Sequence, residues 1–145
     1  MILYLDTSAL LKKYFKESGS AEVISEWKRA DAVATSMVTY AETVAAVFRK
    51  KREAEVAHSL FNKIHRAFRK DWESFIRVEV TSALNERIDN LVEACLLRGF
   101  EAIHLASALT IHQTNPGDLI FACYGQKLLQ AAQSQGLPTI PEKID

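Results

Sequence analysis

Asp6, Glu42 and Glu101 are the residues of this chain whose types and settings point to chemistry. Asp6 follows four apolar residues, Ile2 to Leu5, and precedes two hydroxyls and a helical pattern, so it falls at the carboxyl end of a first strand. Ligands and metals gather at that edge of a parallel sheet, in the crevice where the strand order reverses. Asp6, Thr7 or Ser8 could equally cap the next helix, since these residue types accept hydrogen bonds from orphan amides. Glu42 has Val38, Ala41, Ala45 and Ala46 as helical neighbours, so its carboxylate is expected to be partly buried and in need of a partner. At the edge of that stripe it would instead pair with Arg49 or Lys50 in solvent. Glu101 opens the small-residue segment EAIHLASAL, either approaching the sheet closely or favouring the positive end of a helix. His104 in that segment reads as a half-buried, hydrogen-bonded histidine rather than a ligand.

Three acids at three strand or helix ends form a more specific pattern than any one of them. Converging carboxylates raise one another's pKa unless a cation neutralises them. Oxygen ligands with retained waters suit Mg²⁺ or Mn²⁺, and such a site can activate water and stabilise charge on a scissile phosphate.

The elements that must position these acids are legible as alternating apolar runs and helical stripes. Five segments read as strands: Ile2 to Leu5, Ala32 to Thr35, Phe75 to Val80, Leu119 to Cys123, and Thr139 to Ile140. Two short helices lie on either side of Gly19, the first over Leu10 to Phe15. An alanine-rich helix follows from Val38 to about Lys51. Val56, Leu60, Ile64 and Phe68 give one apolar stripe on a long helix. Leu84, Ile88, Leu91, Val92 and Cys95 give another, stopped by Gly99. A helix from Ala102 to Ile111 is broken by Asn115-Pro116-Gly117, and a last one around Leu128 ends at Gly136. Strands separated by helices indicate a parallel sheet of about five strands in a three-layer α/β/α sandwich.

Composition narrows the class further. The 145 residues fit a single domain over 1–145, with 48% apolar and 25% charged residues. Eighteen basic and eighteen acidic side chains cancel, so nucleic-acid binding would have to use local patches or metal ions. Candidate patches are Arg49-Lys50-Lys51-Arg52 and Arg66 to Lys70, although charge runs are usually solvated surface. The two cysteines, Cys95 and Cys123, lack metal-ligand spacing and suggest a reducing compartment. With no basic leader or membrane-length apolar run, the expectation is a cytoplasmic protein without membrane contact.

Three stretches, LDTSALLKKYF, ATSMVTYAET and LRGFEAIHLASAL, together with the late strand IFACYGQKLLQAA, resemble PIN domains, specifically the VapC-type ribonuclease toxins of type II toxin–antitoxin modules. The resemblance spans essentially the whole chain. It implies a divalent-metal-dependent endoribonuclease that hydrolyses RNA phosphodiester bonds with a metal-activated water, leaving a 5′-phosphate on the 3′-side fragment. It further implies Mg²⁺ or Mn²⁺ as cofactor, a cognate antitoxin as partner, and a homodimer. Asp6 matches the first family aspartate and Glu42 the family glutamate. Thr7 and Ser8 would support Asp6 or a water at the metal.

Two departures mark this chain. Family members usually read D-A-x-H-L-A where this chain has Glu101-Ala102-Ile103-His104-Leu105-Ala106, so the third carboxylate gains a methylene and a rotor. After the fourth strand, Gly125 stands where an aspartate is common, and Asp118 precedes that strand and belongs at the opposite edge of the sheet. The alternative function is therefore a catalytically weakened PIN-fold module that binds RNA or an antitoxin without efficient cleavage. Aspartyl-phosphate chemistry is a third class, but Ser8 occupies the place of the second acid that such phosphatases need.

Overall fold

The computed structural model describes residues 1–54 and 58–145. Five parallel strands, β1 (Ile2–Leu5), β2 (Ala32–Ser36), β3 (Ile76–Val78), β4 (Leu119–Ala122) and β5 (Thr139–Ile140), lie in the order β3-β2-β1-β4-β5. The chain builds outward from β1 to β3, then crosses to β4 on the other flank of β1. The order thus reverses between β1 and β4, and β1 ends one residue before Asp6. That reversal creates the crevice in which ligands bind in open α/β sheets.

Period-2 alternation along β1 divides the core. Leu3 and Leu5 face one layer, where they pack with Ala9, Leu10, Val23, Phe68 and Trp72. Tyr4 faces the other, with Leu91, Leu105, Phe121 and Leu128. The first layer holds α1 (Thr7–Tyr14), α2 (Ser20–Arg29) and α4 (His58–Ser74), with α3 (Val38–Glu53) packed on α1 and α4. The second holds α5 (Asn85–Cys95), α6 (Gly99–Thr114) and α7 (Gln126–Ser134). This is the expected three-layer α/β/α sandwich.

Several boundaries differ from the sequence reading, each for a local reason. The third strand is three residues long, because Phe75 turns into the aromatic cluster with Trp27 and Trp72 instead of pairing. A short edge strand also limits the unpaired backbone it exposes. Helix α1 begins at Thr7, directly after Asp6, and α6 begins at Gly99. Gly99 therefore does not stop α5; Leu96 does, in the left-handed region at φ 55°. The buried stripe of α4 is Phe61, Ile64, Phe68 and Trp72, while Leu60 is 49% exposed. Val56, assigned to that stripe from its spacing, lies outside the described residues. Both cysteines are free, and among the described residues no single helix is long and apolar enough to cross a membrane.

Candidate active site

Asp6 sits in extended backbone as the N-cap of α1, where its Oδ1 accepts hydrogen bonds from Ala9 N at 2.8 Å and Ser8 Oγ at 2.7 Å. Ser8 Oγ in turn accepts from Tyr124 N at 3.0 Å, stitching the segment that follows β4 to the end of β1. Capping and a place at the sheet edge are thus combined in one residue: Asp6 caps with one oxygen and also lines a cleft. It is only 7% exposed. Burial pushes its carboxyl above the ordinary value, and the Glu42 charge adds to that, against opposition from His104, Ser8 Oγ and Ala9 N.

Glu42 rises from α3 into the same cleft. Burial alone would raise its pKa, but hydrogen bonds from His104 and Thr7 prevail and hold it below the ordinary carboxylate value. Thr7 Oγ1 donates to Glu42 Oε1 at 2.7 Å, and His104 Nε2 lies 3.0 Å from the same oxygen. The expected alternatives, solvent pairing with Arg49 or Lys50, are not used among the described residues. His104 is buried rather than half-buried, with Tyr4 Oη 3.0 Å from its Nδ1. The two hydroxyls expected to support Asp6 divide their work: Ser8 holds Asp6 and Thr7 holds Glu42.

Glu101 stands in the first turn of α6 and accepts from Arg98 N at 3.0 Å, so it serves its helix N-terminus in the way that favours acids there. It lines the cleft as well. The cleft, of about 560 Å³, is lined by Asp6, Glu42 and Glu101, with His104, Arg49 and Gly125 among its other walls. Of the predicted basic run only Arg49 reaches it. Lys50 lies over the Phe15 ring, 5.0 Å from its centroid, and Lys51 lies over Phe48 at 5.5 Å, within 3.5 Å of Asn62 Oδ1. Arg52 is exposed on the outer surface. A four-residue patch is thereby reduced to one cleft cation, because successive helical residues cannot share a face.

Phe100, Tyr124 and Tyr4 escaped the sequence reading as site residues. The first two line the cleft, and Phe100 is 58% exposed. Tyr4 carried a signal: a hydroxyl in an otherwise aliphatic buried strand must find a partner. Asp118 lies where expected, at the opposite sheet edge, with its Oδ1 3.2 Å from the Met1 amino group.

Among the described residues, no group of three or more His, Cys, Asp or Glu side chains is arranged to hold a metal ion. Each acid of the cleft commits one oxygen to its own helix or to a neighbouring side chain. The donor chemistry still fits Mg²⁺ or Mn²⁺. Mg²⁺ is usually held by one or two carboxylates plus waters and substrate phosphates, not by a complete protein cage. Asp6 and Glu42, the latter held by the residue that follows Asp6, supply two such carboxylates, and among the described residues the buried Asp6 forms no ion pair.

The PIN domain family matches residues 3–120. Ribonuclease VapC45 of Mycobacterium tuberculosis is 31% identical over 144 residues, covering 99% of this chain and 98% of that protein. A toxin–antitoxin complex from Klebsiella pneumoniae contains a chain superposing with a TM-score of 0.63 at 17% identity, over 99% of this chain and 96% of that one. FitAcB from Neisseria gonorrhoeae gives 0.69 at 15% identity, with 96% of each chain covered. These two structural likenesses bear on the fold alone.

Proposed function

This chain belongs to the PIN-domain family, with VapC-type ribonucleases among its relatives, and on that premise we propose that it is a divalent-metal-dependent endoribonuclease, the toxin of a toxin–antitoxin pair. The observation that carries the proposal is the meeting of Asp6, Glu42 and Glu101 in one cleft at the point where the strand order reverses. Asp6 and Glu42 would hold Mg²⁺ or Mn²⁺, with Glu101 completing the site directly or through water. The ion, when bound, supplies Lewis acidity at the phosphoryl group and a water activated near neutral pH.

The chain's own residues do the positioning. Ser8 and Thr7 each hold one oxygen of Asp6 and Glu42, leaving the second oxygen of each carboxylate for the cleft. Arg49, the cation on the cleft wall, binds a backbone phosphate and offsets the repulsion between three acids and a polyanion. The exposed ring of Phe100 offers an apolar face on which an unpaired base can stack. The names of the curated relatives support RNA as substrate, and the toxin–antitoxin complexes among the solved structures support a cognate antitoxin as partner. A homodimer is part of the same proposal.

Cleavage of a single-stranded RNA should require Mg²⁺ or Mn²⁺ and vanish both with EDTA and in Asp6→Ala. Undiminished cleavage by Asp6→Ala would overturn the assignment. Gly125 favours a second reading, a module that binds RNA or antitoxin with little cleavage, because it leaves that wall of the cleft without a carboxylate. Calorimetry with Mn²⁺ separates the two: saturable binding supports the nuclease, its absence the module.

A further inference from the structure

A buried chain of hydrogen-bonding groups runs from the sheet to the cleft. Tyr4 on β1 meets His104 on α6, which meets Glu42 on α3, which meets Thr7 on α1. Tyr4 is fully buried and His104 is 3% exposed, so neither can turn to water for a partner. The chain links four elements, and two of them, α1 and α6, meet at a single carboxylate oxygen, Glu42 Oε1, which takes both the Thr7 hydroxyl at 2.7 Å and His104 Nε2 at 3.0 Å. Among the described residues Glu42 Oε2 accepts no hydrogen bond.

The order of donors along the chain is fixed by elementary chemistry. An ionised carboxylate only accepts, so Nε2 carries the proton that faces Glu42. In the neutral ring Nδ1 is then the acceptor, and it is satisfied by the Tyr4 hydroxyl, which can donate. Glu42 has three rotors of its own, so without these donors its carboxylate would sample the cleft freely.

We propose that His104 is a positioning residue: with its tautomer set by Tyr4, it fixes Glu42 so that the second carboxylate oxygen faces the divalent-cation site. The metal role of Glu42 rests on the function proposed above; the tautomer and its control by Tyr4 do not. Partners of this kind, orienting a ligand from behind, are worth about 10–100-fold in metal affinity or activity.

The test has two independent readouts on the intact protein. The first is the ¹⁵N spectrum of the His104 ring at pH 8 without metal or RNA. It should show a protonated Nε2 and an unprotonated Nδ1, and Tyr4→Phe should raise the share of the other tautomer. A ring protonated on both nitrogens or on Nδ1 alone, or one indifferent to Tyr4→Phe, would overturn the proposal. The second is Mn²⁺ affinity by calorimetry. His104→Leu, which leaves Glu42 without its ring donor, should lose about 10–100-fold. His104→Gln, whose amide can donate from nearly the same place, should recover most of that loss. Equal losses in the two variants, or wild-type affinity in His104→Leu, would overturn the positioning role. If His104→Leu does not fold, Tyr4→Phe carries the same comparison, with a weakened Mn²⁺ affinity expected and an unchanged one overturning the role. Wild-type protein that binds no Mn²⁺ would overturn the nuclease reading and the metal-directed part of this proposal, while the nitrogen shifts would still decide the tautomer.

Discussion

Ser8 Oγ stands 2.7 Å from Asp6 Oδ1 and accepts the Tyr124 backbone amide, so one hydroxyl ties a buried carboxylate to the strand across the crevice. Asp6 is thus held in place while remaining costly to keep ionised. Its folded pKa is raised above the ordinary value of 3.8, first by burial. Between those two values the folded chain binds more protons than the unfolded one, so stability falls as pH rises through the window, and the loss persists above it. Glu42 has the opposite sign. Its lowered folded pKa contributes stability above its ordinary value of 4.5, which is lost as pH falls through the folded value.

Asp6→Asn should therefore melt higher than the wild type at pH 7 in the absence of divalent metal. Asparagine caps a helix as well as aspartate does and carries no charge to bury. The advantage should shrink as pH drops toward the ordinary aspartate value. Adding Mn²⁺ should raise the Tm of the wild type and leave the variant unmoved, because only a ligand of the folded state stabilises it. Equal melting of the two metal-free proteins at pH 7 would contradict the assigned cost of the Asp6 charge.

Gly125→Asp should restore a carboxylate to the cleft at little structural expense. Gly125 has an extended backbone (φ −94°, ψ 127°), and a Cβ added there meets nothing within 4 Å. It is also the N-cap of α7, which lacks a side-chain cap, so aspartate should add a few tenths of a kcal/mol to stability. Calorimetry should show tighter Mn²⁺ binding, and an unchanged affinity would mean that carboxylate count does not limit the site.

Arg49→Ala should weaken single-stranded RNA binding, measured by fluorescence anisotropy in the Asp6→Asn background to prevent cleavage. Loss of one phosphate contact should make the slope of log K against log salt shallower by about 0.7. Arg52→Ala, on the outer surface, should change neither quantity. Identical effects from the two substitutions would put RNA on the whole basic run instead of the cleft.

Phe68→Ala should destabilise the fold by roughly 3–5 kcal/mol, since it empties a fully buried site packed against Tyr14, Tyr40 and Trp72. Leu60→Ala should cost no more than about 0.5 kcal/mol, as expected for a largely exposed position. Urea denaturation of both variants checks which residues form the buried stripe of α4.

The misplaced α4 stripe illustrates what periodicity leaves open. Leu60 and Phe61 are adjacent apolar residues, and a spacing of four through Leu60 looks as regular as the true spacing through Phe61. Which of them turns inward depends on how α4 lies against α1 and α3, and a helix by itself carries no record of its neighbours. The same holds for Leu96, which ends α5 in a left-handed conformation that its residue type does not announce.

For the cleft, the sequence by itself singled out Asp6, Glu42 and Glu101 as candidates and placed Asp6 at the sheet edge where they meet. An acid directly after a buried strand can only emerge at that strand's carboxyl end, and parallel topology brings such ends to one side of the sheet. Tertiary structure alone decided how the acids are held. Glu42 and His104 are 62 positions apart, yet they meet within 3.0 Å because α3 and α6 approach the same sheet edge. Tyr4 joins them because β1 turns it toward α6. Hydrogen bonds of this kind depend on distances between elements, and those distances are set by how the two layers pack on the sheet, which local sequence patterns do not specify.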